Sequence, residues 1–174
     1  MAKTSNLREF QEAILLKLKE AASQGDVVST SRLGVTVGTK KLLINLNDVT
    51  EVIPVPPIQG VPLTQSWFLG VANIRGNLYN VTDFAQFINL PATRKSANNR
   101  ILLLSSDITT QSALLISSLV GLRNIDTMTI KPIVDTAEMA FSKLVHIDTE
   151  GSEWFELDID GLVRDTEFIQ PTLA

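Results

Sequence analysis

The segment Gly70-Val-Ala-Asn-Ile-Arg-Gly76 and its continuation Asn77-Leu-Tyr-Asn-Val-Thr-Asp83 carry the clearest structural pattern in the chain. Two glycines bracket a short apolar run, and a second run passes through Leu78 and Val81. Glycine within a strand marks a backbone turn or the close approach of another segment. The pattern therefore predicts a strand, a turn and a second strand.

Short strands are predicted on both sides of this segment. Apolar residues alternate over residues 33–37 and return over 42–46 after Gly38-Thr39, which indicates a hairpin. Two apolar runs at 100–105 and 113–120, separated by turn-forming residues, indicate a second and more buried hairpin. A connector rich in proline, which removes backbone hydrogen-bond donors, separates the first hairpin from the central segment. Its prolines are Pro54, Pro56, Pro57 and Pro62.

The N-terminal part of the chain predicts the only long helix. Apolar residues recur there every three or four positions and form one stripe. They are Leu7, Phe10, Ile14, Leu18 and Ala21. We expect this stripe to pack on the β-rich body, with docking to a partner protein as the alternative.

Composition excludes several classes of protein. The 174 residues are 44% apolar and include no cysteine, which excludes disulfides, thiolate zinc sites and cysteine nucleophiles. The apolar runs are far shorter than the ~20 residues of a membrane-spanning helix, and no signal peptide is evident. We therefore expect a cytoplasmic protein without direct membrane insertion. The net charge is −4, and acidic groups dominate residues 135–174, so nucleic acid is not an expected partner.

One acidic segment resembles a calcium-binding loop. The oxygen ligands of such a loop would be Glu156, Asp158, Asp160 and Glu167. However, glutamate replaces the aspartate of the first position, and the alternation over residues 155–160 favours a strand. A calcium-binding module is kept as the alternative function.

A catalytic constellation is not evident in the sequence. The single histidine, His146, lies two positions before Asp148, and this pair could in principle activate a serine. A lone histidine on a strand is more often a hydrogen-bonded structural residue. We expect no enzymatic activity, no metal and no cofactor, and keep a hydrolase centred on His146 as a weaker rival.

The central segment resembles the signature of the CheW-like chemotaxis adaptors. The matching residues are Gly70-Val-Ala-Asn73-Ile-Arg75-Gly76 and, after them, Val81-Thr-Asp83-Phe. Further segments occur in the same order as in the family. They are the first hairpin, Asp48-Val49-Thr-Glu51-Val52 and the terminal Asp160-Gly161-Leu162. The resemblance therefore covers about residues 30–166. Trp67 ahead of the signature is similar to the adaptors of type IV pilus, or twitching, chemosensory systems.

The resemblance implies a mainly β fold with two intertwined five-stranded SH3-like β-barrel subdomains, preceded by the N-terminal α-helix. It implies a helical extension at 1–29, a CheW-like domain at 30–168 and a C-terminal tail at 169–174. It also implies a non-enzymatic adaptor between a methyl-accepting chemoreceptor and the regulatory domain of a CheA-like histidine kinase.

The resemblance assigns residues to each expected partner. Val49 and Glu51 match the strand surface that meets the kinase. Four signature residues match the cleft where the cytoplasmic tip of the receptor binds, namely Gly70, Asn73, Arg75 and Gly76. Arg75 is either a buried structural donor that ties strands together or a contact to a partner.

Overall fold

The structure of the protein is a computed structural model that describes residues 12–13, 30–132 and 139–173. The strands of this part are β1 (Ser31–Val37), β2 (Lys40–Asn45), β3 (Val49–Pro54), β4 (Phe68–Ile74), β5 (Asn77–Asp83), β6 (Arg100–Leu104), β7 (Ser112–Ile116), β8 (Ser118–Asn124), β9 (Thr129–Lys131), β10 (Ser142–Ile147) and β11 (Glu153–Leu157). Its short helices are α1 (Phe84–Phe87), α2 (Ile159–Arg164) and α3 (Thr166–Ile169). The predicted N-terminal helix lies outside the described residues, except for Glu12 and Ala13, which are helical.

The strands form two sheets, which confirms the prediction of a mainly β chain. The first sheet has the order β8-β1-β2-β11-β10-β9 and the second has the order β3-β6-β7-β5-β4. All five strands of the second sheet, β3 to β7, lie between β2 and β8 in the sequence. The chain therefore completes the first sheet only after it has formed the second. Five strands were expected in each half, and the first sheet has six because β9 pairs with β10 at its edge.

The central segment folds as the predicted strand, turn and strand. The antiparallel strands β4 and β5 are joined at the pair Ile74 and Asn77 by a two-residue turn, Arg75-Gly76. Both turn residues have positive φ angles, +53° and +84°, as in a type I′ hairpin turn, which matches the right-handed twist of the strands. The second position suits glycine, which carries no Cβ atom to clash.

Gly70 is required by a close approach of the proline-rich connector. Gln59 exchanges two backbone hydrogen bonds with Val71, at 2.8 and 2.9 Å. A Cβ atom on Gly70 would lie only 2.0 Å from the carbonyl oxygen of Gln59. The connector therefore covers the outer edge of β4, and glycine at position 70 makes room for it.

Strands β6 and β7 are buried on both faces, which explains their unbroken apolar sequences. One set of their residues belongs to a main core that includes residues of both sheets, and this set is Leu102, Leu104, Leu114 and Ile116. The alternate set belongs to a second core within the five-stranded sheet, and this set is Ile101, Leu103, Ala113 and Leu115. Successive side chains of a strand point to opposite faces, so a strand between two cores needs no polar residue.

The C-terminal region differs from the predicted strand over residues 155–160. Strand β11 ends at Leu157, and Asp158 caps helix α2 by accepting a hydrogen bond from the amide of Gly161 at 3.1 Å. Ile159 enters the main core from this helix, so the apolar alternation continues although the strand has ended. An aspartate that caps a helix provides a local reason for the chain to leave the sheet.

Candidate partner-binding site

Two residues that the family resemblance assigns to different partners form an ion pair. The guanidinium of Arg75, in the β4–β5 turn, donates hydrogen bonds to both carboxylate oxygens of Glu51 on β3. Such a two-pronged pair fixes the relative orientation of both groups. The hydrogen bond to Glu51, and then its negative charge, raise the pKa of Arg75 above the ordinary arginine value.

This ion pair connects the two edges of the second sheet. Strand β3 is one edge of that sheet and β4 is the other. A direct contact between Glu51 and the β4–β5 turn therefore requires the sheet to curl. The side chain of Arg75 is 70% exposed and that of Glu51 is 20% exposed, so Arg75 ties strands together without being buried.

A β-bulge separates Val49 from Glu51. In a regular strand these two residues would share one face. The register shifts between them, however, so that Val49 is opposite Leu104 and Glu51 is opposite Leu103. Val49 is completely buried in the main core, and its side chain therefore cannot form the surface contact expected of it. Glu51 alone of the pair reaches the surface.

The four signature residues occupy two separate places. Asn73, Arg75 and Gly76 are exposed at the tip of the β4–β5 hairpin, where the side-chain oxygen of Asn73 accepts a hydrogen bond from the amide of Gly76 at 2.9 Å. Gly70 is buried beneath the connector, at the opposite end of β4. The tip thus presents a two-residue turn with one guanidinium, whereas Gly70 lies where the connector pairs with β4.

A groove lies at the base of this hairpin. Its volume is about 260 Å³, and its walls come from β4, β5, the start of β7 and the C-terminal residues. They are Phe68, Asn80, Thr82, Thr109, Thr110, Ser112, Phe168, Ile169 and Pro171. None of the four signature residues is a wall of this groove, and their assignment to a receptor-binding cleft stays a prediction.

A second ionic cluster, which the sequence did not reveal, lies in the first sheet. Glu156 on β11 accepts a hydrogen bond from Arg32 at 3.2 Å with one oxygen. Its other oxygen is 2.8 Å from Nε2 of His146. Because β2 pairs in parallel with β11, side chains of β1 and β10 on either side of this pair reach the carboxylate. This pairing joins distant parts of the chain, and no local sequence pattern predicts it.

The pKa of Glu156 shows that its partners outweigh its burial. Burial alone would raise this pKa. The hydrogen bonds from His146 and Arg32, together with the charges of these two groups, lower it by more than burial raises it, so the net shift is downward. The carboxylate is therefore held ionised between two cationic or proton-donating groups.

The residues of the alternative calcium loop have separate structural roles. Glu156 is engaged in the first sheet, Asp158 caps α2, and Asp160 lies 3.3 Å from Arg164 one turn along the same helix. Within residues 12–13, 30–132 and 139–173, no group of three or more acidic or histidine side chains is placed to hold a metal ion. A strand followed by two helices occupies the segment that the alternative interpretation assigned to a calcium loop.

His146 and Asp148 do not form the catalytic pair considered from sequence. Asp148 accepts hydrogen bonds from the indole of Trp154 at 2.9 Å and from the amides of Ser152 and Glu150. The bond from Trp154 is the largest cause of its lowered pKa, followed by the Ser152 amide. Since His146 is bonded to Glu156 instead, both residues have structural partners.

Among the described residues there is no helix with both the length and the apolar content needed to cross a membrane.

Comparisons with known proteins agree with this architecture. The family model described as a CheW-like domain matches residues 32–167. Protein PilI of Pseudomonas aeruginosa strain PAO1 is 24% identical over 125 residues, which cover 72% of this chain and 70% of that protein. The crystal structure of the scaffolding protein TtCheW from Thermoanaerobacter tengcongensis is similar in fold, with a TM-score of 0.62 and 20% sequence identity. That match covers 73% of this chain and 87% of TtCheW.

Proposed function

The chain belongs to the CheW-like domain family, and from this premise we propose that it is a non-enzymatic adaptor. It couples the cytoplasmic tip of a methyl-accepting chemoreceptor to the regulatory domain of a CheA-like histidine kinase. The similarity to PilI supports a place in a cytoplasmic chemosensory system that controls type IV pilus twitching motility. Its functional unit is residues 30–168, folded as two SH3-like barrels.

The observation that carries this proposal is the ion pair between Glu51 and Arg75. Glu51 belongs to the surface assigned to the kinase, and Arg75 to the signature assigned to the receptor. Their direct contact supports one continuous binding surface. On this surface the kinase would contact Glu51 and the receptor would contact Arg75, which is bonded to Glu51.

The exposure of Arg75 suits it to signalling. Ion pairs in contact with water contribute little to folding, so a partner can break or replace one at small cost. A receptor can change the activity of the kinase through the adaptor only if it binds two states of the adaptor with different affinities. A guanidinium that exchanges Glu51 for an acidic group of the receptor tip would change the Glu51 surface in this way.

Binding measurements with variants of the pair test the proposal. Calorimetric titrations use the purified regulatory domain of the kinase and a soluble cytoplasmic fragment of the receptor from the same organism. We expect Glu51→Gln to weaken kinase binding and Arg75→Gln to weaken receptor binding, each about tenfold, as for residues central to an interface. Glu153→Gln, which removes the exposed pair with Lys131 on the first sheet, is the matched control.

A charge swap separates coupling from simple contact. In Glu51→Arg with Arg75→Glu the two charges attract each other again, but each faces its partner with the wrong sign. We expect the double variant to fold and to bind neither partner. Unchanged affinity of all these variants for both partners would remove this surface from the proposal, and full binding by the double variant would leave only a structural role for the pair.

A further inference from the structure

The loop between α1 and β6 is positively charged and is held in place at its start. Residues 91–100, which we call the basic loop, contain three cationic side chains and no acidic one. They are Arg94, Lys95 and Arg100. The buried carboxylate of Asp83 accepts hydrogen bonds from the amide and the hydroxyl of Thr93, at 2.9 and 2.6 Å. The loop therefore has a fixed attachment to the second sheet.

Hydrogen bonds within the basic loop leave two of its cations at the surface. The side chain of Asn99 donates to the carbonyl of Arg94 at 3.0 Å. The guanidinium of Arg100 donates to the carbonyls of Ala97 and Asn99, at 2.9 and 2.8 Å. Arg94 and Lys95 are exposed, and no carboxylate in the described part of the chain forms an ion pair with either.

An apolar patch lies where the end of the chain meets the connector. Residues 63–65, at the end of the connector, pair antiparallel with residues 171–173 through the bridge between Thr64 and Thr172. The amide of Leu173 donates to the carbonyl of Leu63 at 2.9 Å. These two leucines are 54% and 78% exposed, and Ile169 on α3 is 54% exposed. Exposed apolar side chains that cluster in this way mark an interaction surface.

The backbone at Leu63 supports the same conclusion. Its φ angle is +59°, in the left-handed region that is unfavourable for leucine. The pairing with the tail holds it there, since the amide of Gln65 also donates to the carbonyl of Pro171, at 2.7 Å. The leucine side chain gains little burial from this strained position. Strained residues cluster at binding sites, where a partner supplies the missing contact.

The helices that lead into this tail are acidic. Residues 158–167 contain four carboxylates and one arginine. Arg164 is paired with Asp160, but Glu167 is exposed and has no ion pair among the described residues. Glu167 lies two positions before Ile169 on α3. We define the C-terminal patch as four exposed residues, one acidic and three apolar. They are Leu63, Glu167, Ile169 and Leu173.

We propose that the basic loop of one copy of this chain docks on the C-terminal patch of a second copy. The aliphatic stems of Arg94 and Lys95 cover the leucines of the patch, and their charged ends reach Glu167. Long cationic side chains can cover apolar surface while their charges meet an opposite charge at its border. The contact involves only this chain, so it does not depend on the proposed function.

Charge complementarity selects a second copy as the occupant. An unrelated acidic protein on the basic loop would leave the C-terminal patch exposed. A second copy brings cations and aliphatic stems to the patch, and carboxylate and apolar groups to the loop. One kind of contact therefore covers both surfaces.

Analytical ultracentrifugation of the purified full-length protein tests the proposal. At low salt and at concentrations up to about 1 mM, contacts of millimolar affinity are still populated, and we expect concentration-dependent self-association. At about 1 M sodium chloride, exposed charges are screened beyond ~3 Å, and we expect the affinity to fall several-fold. A protein that stays monomeric at low salt over this range would overturn the proposal.

Charge reversal identifies the two surfaces. The loop variant combines Arg94→Glu with Lys95→Glu, and the patch variant is Glu167→Lys. Each variant alone is expected to self-associate about tenfold more weakly, because like charges then face each other. An equimolar mixture is expected to regain association, since the acidic loop of one variant faces the basic patch of the other. Native-strength association of either variant, or a mixture as weak as its components, would overturn the proposal.

Two further variants separate this contact from folding and from net charge. Asparagine tolerates the left-handed backbone better than leucine, so Leu63→Asn should keep or raise the free energy of unfolding. It should still weaken self-association about tenfold, because it removes an apolar side chain from the contact. Glu150→Lys makes the same charge change as the patch variant, at an exposed position in the β10–β11 turn, and should leave self-association unchanged. Native-strength association of Leu63→Asn, or equal weakening by Glu150→Lys and Glu167→Lys, would contradict the proposed contact.

Discussion

Two glutamate–arginine pairs among the described residues lie in very different surroundings. Arg75 and Glu51 meet at a hairpin tip, with side chains 70% and 20% exposed. Arg32 and Glu156 meet within the first sheet, with side chains 12% and 15% exposed, and His146 completes that cluster. The same chemistry therefore occurs once in contact with water and once largely away from it.

Burial determines what each pair can do. Removing one member of a buried pair leaves a charge without a partner in a poorly solvated place, which is costly. At the surface, water replaces the lost partner, and the cost is small. We therefore expect the Glu156 cluster to stabilise the first sheet, whereas the Glu51 pair can separate at a small cost in stability.

The largest expected effect breaks the buried cluster. Glu156→Ala leaves Arg32 and His146 without their shared acceptor, and we expect a loss of about 3 kcal/mol in the free energy of unfolding. Urea denaturation followed by fluorescence of the buried Trp154, which lies on the same strand, measures it. Glu51→Ala is the matched control at the exposed pair and is expected to leave the denaturation midpoint nearly unchanged. Equal losses in the two variants would refute the contrast between the pairs.

A second prediction separates the two sides of β3. Val49→Ala removes two methyl groups from the main core and should cost about 2 kcal/mol of stability. At a temperature where it is folded, this variant should still bind the kinase regulatory domain with unchanged affinity, because Val49 has no exposed surface. Calorimetry and denaturation on the same sample measure both quantities. Weakened binding by folded Val49→Ala would return this residue to the interface.

The β3 bulge shows how far sequence alone can reach. Local patterns predicted both hairpins, a turn between the two central strands and the buried β6 and β7 runs, since period, glycine position and apolar content are local properties. A bulge shifts every later side chain of a strand to the other face, yet it leaves no mark in the apolar pattern. The family resemblance assigned Val49 and Glu51 to one surface, but the bulge places Val49 in the core and Glu51 at the surface.

The ionic contacts were unpredictable for a different reason. Arg32 and Glu156 are 124 positions apart, and Glu51 and Arg75 are 24 apart. Their meeting depends on which strands are neighbours and on how the sheet curls. Sequence patterns identify strands but not their order, and family resemblance supplied the expected arrangement only at the level of subdomains.

The third prediction uses pH to sharpen the comparison. The pKa of Glu156 is lower in the folded protein than its ordinary value of 4.5. Its contribution to stability is therefore complete above that value and is lost as the pH falls through the lower, folded pKa. The difference in unfolding free energy between the native protein and Glu156→Gln should shrink as the pH falls below 4.5.

Denaturation at a series of pH values gives this profile. Asp148, whose pKa is also lowered, is present in both proteins, so its titration cancels from the difference. A difference that grows as the pH falls would mean that the carboxylate is not stabilised by its partners.

The smallest effect concerns one proton on His146. Nε2 lies 2.8 Å from Glu156, while Nδ1 is buried without a hydrogen-bond partner in the part of the chain that is described. A carboxylate accepts hydrogen bonds only, so in the neutral ring the proton belongs on Nε2, and Nδ1 keeps its lone pair. An unpaired buried acceptor costs less than an unpaired buried N–H donor.

Imidazole ¹⁵N chemical shifts of the neutral ring should therefore identify the Nε2–H tautomer. Glu156→Gln, whose amide can also donate, should raise the population of the other tautomer. A ring protonated on Nδ1 alone in the native protein would require a different partner for Glu156.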